Sequence, residues 1–431
     1  MSAIAALIKN RNYVFYWLAS MCSEFGSMTL QFIISLYVFD LTGDAVLFGT
    51  LLFIAIVPRL IFYPLAGMWA DRYDRRLLLL IPIGLAALVL FGFTAIELFV
   101  MPLGIASLFI LVIVLEIFNI VFMSANMSIP PMIVTRDQLG AANSLGILYS
   151  DFGYIIGMVS GAVVYGLLGF SWSLLATSLS FVIGFVFIIP LRLVQPQGAQ
   201  TNDSGNIPNS TVIHEPAPQI KSVRAFFQEV TLGARLVAKD RLLLVMFILS
   251  PAFNFFCVPI WDVVLLFFAR GDLGLEPIPY GIFSSVQAVG DLIIALVVAT
   301  LYTDDRALRF LRLVPLTFAA SIAIMLLAGF MVSSTPLIAV LIVTGLGSAF
   351  MAMMATIFVI CKNTLVQKRV ANENLSRVFS VNRVTALIAL PFGNLAFGFF
   401  VEYLGYQGSL AISIVAVLAL FILTTRALPK L

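Results

Sequence analysis

The 431-residue chain holds a single histidine, His214, and three cysteines, Cys22, Cys257 and Cys361, each cysteine inside an apolar run. That poverty excludes a His/Cys zinc site and a disulfide framework. It also excludes a Ser-His-Asp hydrolase within the apolar segments, because the one imidazole falls in a polar stretch. The pattern G-x-x-x-x-G-K-[ST] is missing, so no phosphate-cradling loop powers the chain with ATP. Neither a metal nor a cofactor is expected. Charge is scarce as well: Asp, Glu, Lys and Arg make up 10% of the residues, against about 25% in soluble domains. A net charge of +3 is too small to indicate a nucleic-acid partner.

What the chain has instead is apolar surface. Hydrophobic residues reach 61%, with 38 phenylalanines, which is too much to hide in soluble domains. Apolar runs long enough to cross a hydrocarbon core of about 30 Å recur along the chain. Twelve are expected, from 13–39 at the start to 408–426 at the end. The N-terminal apolar residues precede Lys9 and Arg11, the reverse of a secretory signal, so the first stretch is expected to remain. Nearly all basic residues fall in the breaks on the side of the termini, and Arg270 alone lies opposite, with Asp40, Asp44, Glu97, Asp272, Glu276 and Glu402. By the positive-inside rule both termini are expected in the cytoplasm.

One long polar break divides the chain. Residues 195–220, rich in Pro, Asn, Gln and Ser, lack an apolar period and are expected to form a disordered linker. Residues 221–240 carry Val223, Phe226, Phe227, Val230 and Val237 at helical spacing, as in an amphipathic helix on a membrane surface. The bundles on either side, 1–194 and 241–431, also echo each other. Asp40-Leu-Thr-Gly43 corresponds to Asp272-Leu273, Asp71 and Arg76 to Asp304 and Arg309, and Ser144 to Ser380, at a nearly constant offset. The expected fold is therefore an all-α membrane protein of twelve transmembrane helices in two six-helix bundles. Such duplicated units occur in transporters whose halves move about a midplane site.

The break after the second span reads Gly67-Met-Trp-Ala-Asp71-Arg72-Tyr-Asp74-Arg75-Arg76. It resembles the cytoplasmic signature of the major facilitator superfamily. The resemblance implies that Gly67 allows close helix approach while Asp71, Arg72, Arg75 and Arg76 latch the halves on the inner face. LIKNRNYVFYWLASMCSEFGSMTLQF, YVFDLTGDAVLFG, PPMIVTRDQLGAANSL and NLSRVFSVNR are similar in order and position to segments of the twelve-span drug:proton antiporters that include macrolide exporters. Two features depart from that pattern. The fifth span has Gly153, Gly157 and Gly161 without the usual Gly-Pro pair, and its small-residue face suits helix packing as well as antiport. Leu115-Glu116 stands where a basic residue is often found in the fourth span.

Charged side chains at a helix centre cost on the order of 2.5–3.5 kcal/mol on insertion scales, so those within the spans need pairing or a cavity. Glu24, Glu116, Asp151 and Asp291 are the candidates for proton coupling. Glu24 and Glu116 come first, because the resemblance places their spans at a central cavity. Arg59 is a candidate ligand or ion-pair partner, and Asp262 is a further candidate for the substrate cavity, although its place nearer the outer end of its span suits simple wetting as well. Gln31, Asn119, Asn254 and Gln287 are midspan amides able either to bind a ligand or to join helices. Met351 and Met354 suit either an adaptable cavity wall or packing. The expected function is export of an amphipathic, macrolide-like or cationic small molecule in exchange for protons, by a monomer spanning the lipid bilayer of a cell membrane, read as a bacterial plasma membrane. Export of an endogenous siderophore or movement of a lysolipid is the alternative.

Overall fold

A computed structural model describes residues 3–135, 138–193, 223–301 and 304–427 of the chain. The expected linker at 195–220 lies outside the described residues. Helix α1 (Ala3–Lys9) is followed by α2 (Arg11–Thr42). Asn10 separates them, its side-chain oxygen accepting the amides of Asn12 and Tyr13 at 3.1 and 3.2 Å. The polar residues between the apolar runs set the turns. Gly43, at φ 62°, donates its N–H to the Phe39 carbonyl and closes α2, a left-handed cap that costs glycine little. Asp44 then accepts the Leu47 amide at 2.9 Å and opens α3 (Ala45–Arg72). Two residues thus reverse two long helices.

The order continues with α4 (Arg75–Phe99), α5 (Ile105–Asn126), the single turn α6 (Pro130–Ile133), α7 (Leu139–Leu168) and α8 (Phe170–Ile188). After the linker come α9 (Val223–Lys239) and α10 (Arg241–Phe256). Two π-helical turns, Ile260–Val264 and Phe268–Asp272, follow and flank the short α11 (Leu265–Phe267). Then come α12 (Pro277–Leu301), α13 (Asp304–Met331), α14 (Leu337–Arg369) and α15 (Asn372–Ala427). Among the described residues the structure is helical throughout, with ten segments long and apolar enough to cross a membrane. The difference from the expected twelve arises at two places. The last two expected spans run on as α15, bent at Gly405 where φ is 68°, and α12 is not among the ten.

Packing follows the internal repeat. In the first half α2 lies against α7 and α8, α4 joins α8 and α5, and α3 packs on α5; in the second, α13 joins α14 and α15 while α10 packs on α15 and α12 on α14. The glycine face of α7 settles against α2: a Cβ on Gly157 would come within 3.1 Å of the Phe25 carbonyl, and one on Gly161 within 3.3 Å of Thr29. Thr29 Oγ1 donates across the same seam to the Gly157 carbonyl at 3.2 Å. Small residues and hydroxyls thus join these helices, as they do where lipid offers no hydrophobic driving force. Midhelix leucines such as Leu88 and Leu346 are 67% and 64% exposed, which suits an apolar solvent and not water.

The amphipathic helix α9 also forms. Its Val237 is buried, and Gly233 rests directly on the Arg377 carbonyl of α15. At these positions its inner face is covered by protein.

Asp240 ties this region together just before the seventh span. It caps α10 through the amides of Leu242 and Leu243 and accepts Arg369 Nε at 2.5 Å. Burial raises its pKa, but the Arg369 hydrogen bond and the two amides outweigh that and hold it below the ordinary aspartate range. A depressed folded pKa stabilises the fold above the unfolded value of about 3.9, and this contribution is lost as pH falls through the lower folded value. We therefore expect Asp240→Asn to lower the thermal midpoint at pH 7. Melting curves across pH should show the gap to the parent protein closing below about pH 3.9.

Candidate functional site

A cavity of about 290 Å³ lies between the two halves. Its first-half wall comes from α2, α3, α4, α5 and Phe181 of α8, and the second half adds Asp262 from the first π turn and Leu390 and Asn394 from α15. Ser23, Ser27 and Gln31 line it from α2, spaced four residues apart on one face. Glu24 is one residue on, rotated by about 100°, and faces α7. There Ser150 Oγ donates to its Oε1 at 3.4 Å, and Gly153 lies against its Cβ and Cγ. Glu24 is therefore not in the cavity wall.

Arg59 and Glu116 are in it. Arg59 Nε and Nη2 reach the two carboxylate oxygens of Glu116 at 2.5 and 3.2 Å, joining α3 to α5. The planar fork of the guanidinium matches the carboxylate and neutralises it. Both remain partly open to the hollow, at 34% and 13% side-chain exposure. Asn119 lies on the same wall, one helical turn from Glu116.

Across the hollow stands Asp262. It accepts Asn394 Nδ2 at 3.1 Å and lines both this cavity and a smaller one of about 120 Å³ beside it. Asp262 sits in a π turn, and such turns gather at functional sites. The partner Asn394 is 1% exposed. No donor among the described residues reaches its buried Oδ1.

Other candidates lie elsewhere. Asn254 donates to the Ser250 carbonyl of its own helix at 2.9 Å and lines neither cavity. Met351 and Met354 are buried on α14 and line neither hollow. In so apolar a bundle their spacing fits packing as readily as a pocket. Gly67, Asp71, Arg72, Asp151, Gln287 and Asp291 lie on described helices, but their side-chain surroundings fall outside the described residues. In the signature, Arg75 Nη1 donates to the Ser128 carbonyl and Met132 Sδ, and Arg76 Nη2 to the Ile189 carbonyl. These bonds hold the start of α4 within the first half.

The halves meet around the Gly43 turn, at what we call the distal end. Arg270 pairs with Asp40, which also accepts Tyr165 Oη at 2.7 Å. Arg270 Nη1 donates to the Leu275 carbonyl at 2.5 Å, and the guanidinium lies 5.5 Å from the Phe39 ring. Glu402 accepts the Ala45 amide at 3.2 Å. Beneath them Gly49 and Gly398 bring α3 and α15 nearly backbone to backbone, and a Cβ on Gly398 would lie 2.5 Å from the Ala45 carbonyl. Sequence reasoning used Arg270, Asp40 and Glu402 only as topology markers. Their opposite charges at one end were the available sign of a contact. It also passed over Asn394, a midspan amide like those it named.

Lys362, just past the end of a long apolar run, is 5% exposed, donating to Ser250 Oγ and Asn382 Oδ1 at 3.2 and 3.1 Å. Helix α14 continues through it to Arg369.

A two-half helical body enclosing a polar-spotted hollow is a transporter's architecture, and a family model confirms it. The model for the Major Facilitator Superfamily matches residues 16–369. The chain belongs to the major facilitator superfamily. No curated protein matches it. Among solved structures, this facilitator resembles the nucleoside transporter NupG at 13% identity and a TM-score of 0.70, covering 98% of this chain and 100% of that one. A bacterial homologue of the iron transporter ferroportin, in an inward-facing state, is 15% identical with a TM-score of 0.70, over 97% and 99% of the two chains. The POT family transporter PepTSo is 10% identical with a TM-score of 0.65, over 97% and 98%. At these identities the likeness is one of fold. The chain is a membrane transporter and not an enzyme.

Removing one partner of the central ion pair strands the other charge, so Glu116→Gln should destabilise the facilitator by on the order of 1–3 kcal/mol. Arg59→Met/Glu116→Leu should recover most of that loss in a melting experiment, because the desolvated pair is removed whole. At the distal end, Gly398→Leu should pry α3 from α15. A cysteine at Ser35, in a Cys22→Ser background, should then react severalfold faster with a membrane-impermeant thiol reagent added from the distal side.

Proposed function

We propose that this facilitator exports an amphipathic small molecule, macrolide-like or cationic, from the cytoplasm in exchange for protons. The observation that carries the reading is the charge arrangement of the shared cavity: one base tied to Glu116 in the first half, and a carboxylate, Asp262, facing it from the second. With Arg59 engaged by Glu116, Asp262 is the acid left for either a proton or a positively charged ligand. A site that holds one or the other, and is presented alternately to the two sides, exchanges them. This moves the leading coupling role from Glu24 and Glu116 to Asp262, with Glu116 and Arg59 setting the local charge.

The distal contacts Arg270–Asp40–Tyr165 and Glu402–Ala45 support a state closed at that end and offering the cavity to the terminal side. Basic residues along the terminal side support cytoplasmic termini. Twelve spans in two bundles, 1–194 and 241–431, are reached from the ten by dividing α15 at Gly405 and adding the 25-residue α12. The cavity is complete within one chain, which supports a monomer, and the resemblance of its sequence to drug:proton antiporters supports export across a bacterial plasma membrane. A proton crossing 100 mV yields about 2.3 kcal/mol, enough for a concentration ratio of roughly 50.

In proteoliposomes, an imposed proton gradient should drive accumulation of a macrolide or lipophilic amine, and a protonophore should cut it at least tenfold. Asp262→Asn should remove the dependence on the gradient while leaving a folded protein. Accumulation indifferent to the protonophore would reject proton coupling.

A further inference from the structure

The smaller cavity has a composition of its own. Phe32, Phe48, Tyr154, Trp261, Tyr280 and Phe283 supply six of its fifteen lining residues, and Asp262 is the charged one. The rings come from both halves: α2, α3 and α7 on one side, the first π turn and α12 on the other. Phe32 and Tyr280 stack across the seam with centroids 5.5 Å apart. Three of the polar donors on the wall are engaged within the protein. Trp261 Nε1 donates to Ser348 Oγ at 3.0 Å, Ser284 Oγ to the Tyr280 carbonyl at 2.9 Å, and Ser35 Oγ to the Gln31 carbonyl at 2.8 Å. The rest of the polar lining is the Gln31 amide, the Tyr154 and Tyr280 hydroxyls and one carboxylate, set among the rings.

Ring faces carry negative potential, and a cation held over several of them in a dry site gains about 2 kcal/mol or more from a favourable contact. An anion there would meet Asp262 without a lining guanidinium or ammonium to offset it. A bare divalent metal is a poor occupant. Hard cations need several oxygen ligands, and the described residues contain no group of three or more His, Cys, Asp or Glu suited to hold one. The volume suits a compact head group, while Met28, Gln31, Ser35, Phe48 and Leu52 are shared with the larger cavity, where an apolar remainder would extend.

We propose that the smaller cavity is an aromatic cage for an organic ammonium, with Asp262 as its counter-ion. This names the substrate class of the transport site proposed above, and rests on that reading for the route taken but not for binding. The test is calorimetric titration of the purified full chain with phenyltrimethylammonium, its neutral carbon isostere tert-butylbenzene, and the anion benzenesulfonate.

The cation is expected to bind at least roughly tenfold more tightly than either of the others, a gap of about 1.4 kcal/mol. Asp262→Asn should erase that preference and leave the isostere's affinity unchanged. Phe283→Leu, which keeps the carboxylate, should weaken the cation alone by severalfold, and this variant decides the matter if Asp262→Asn does not fold. Equal affinity for cation and isostere, a preference for the sulfonate, or unaltered cation binding in Phe283→Leu would overturn the proposal. Cation binding without proton-driven uptake would support the cage and strike only the transport reading; proton-driven uptake blind to charge would do the reverse.

Discussion

A charge inside a low-dielectric body must be matched or wetted, and the Arg59–Glu116 pair is where this facilitator meets that demand most directly. The bidentate contact binds α3 to α5 and lets both side chains border a hollow without either carrying its full desolvation cost. It also sets the electrical character of the cavity. Because the guanidinium of Arg59, the one in the wall among the described residues, is engaged by Glu116, Asp262 faces it with a neutral amide as its hydrogen-bonding partner.

The same constraint shapes the distal closure. Arg270, Asp40, Tyr165 and Glu402 bridge the halves near the helix ends, with the Asp40 side chain 33% exposed and that of Arg270 only 11%. Gly49 and Gly398 seal the layer beneath by direct backbone approach. Closure therefore combines a polar cap with a tight apolar seam. Opening it requires the Arg270 guanidinium, largely buried here, to find water or a new partner.

Much of the architecture was legible in the sequence because lipid imposes long apolar runs and polar punctuation. The glycine face of α7 and the apolar spacing of α9 follow from local chemistry. The placement of acids was far less legible. Glu24 and Asp262 are both intramembrane carboxylates to a hydropathy reading, yet one is turned toward α7 and the other lines the cavity. A rotation of one residue accounts for the first, and the second sits in a π turn. Lys362 illustrates the converse, a base near a helix end that folding enclosed among Ser250, Asn382 and Phe358.

The amino-acid order by itself determined that this chain resides in a bilayer, that it repeats a helical unit, and that ionisable groups inside it require company. These follow from transfer free energies, which depend on composition and period alone. Which groups keep that company was decided by tertiary structure. Arg59 meets Glu116 across 57 positions and Asp262 meets Asn394 across 132, distances over which only the packing of helices, and not their individual periodicity, fixes which side chains face one another.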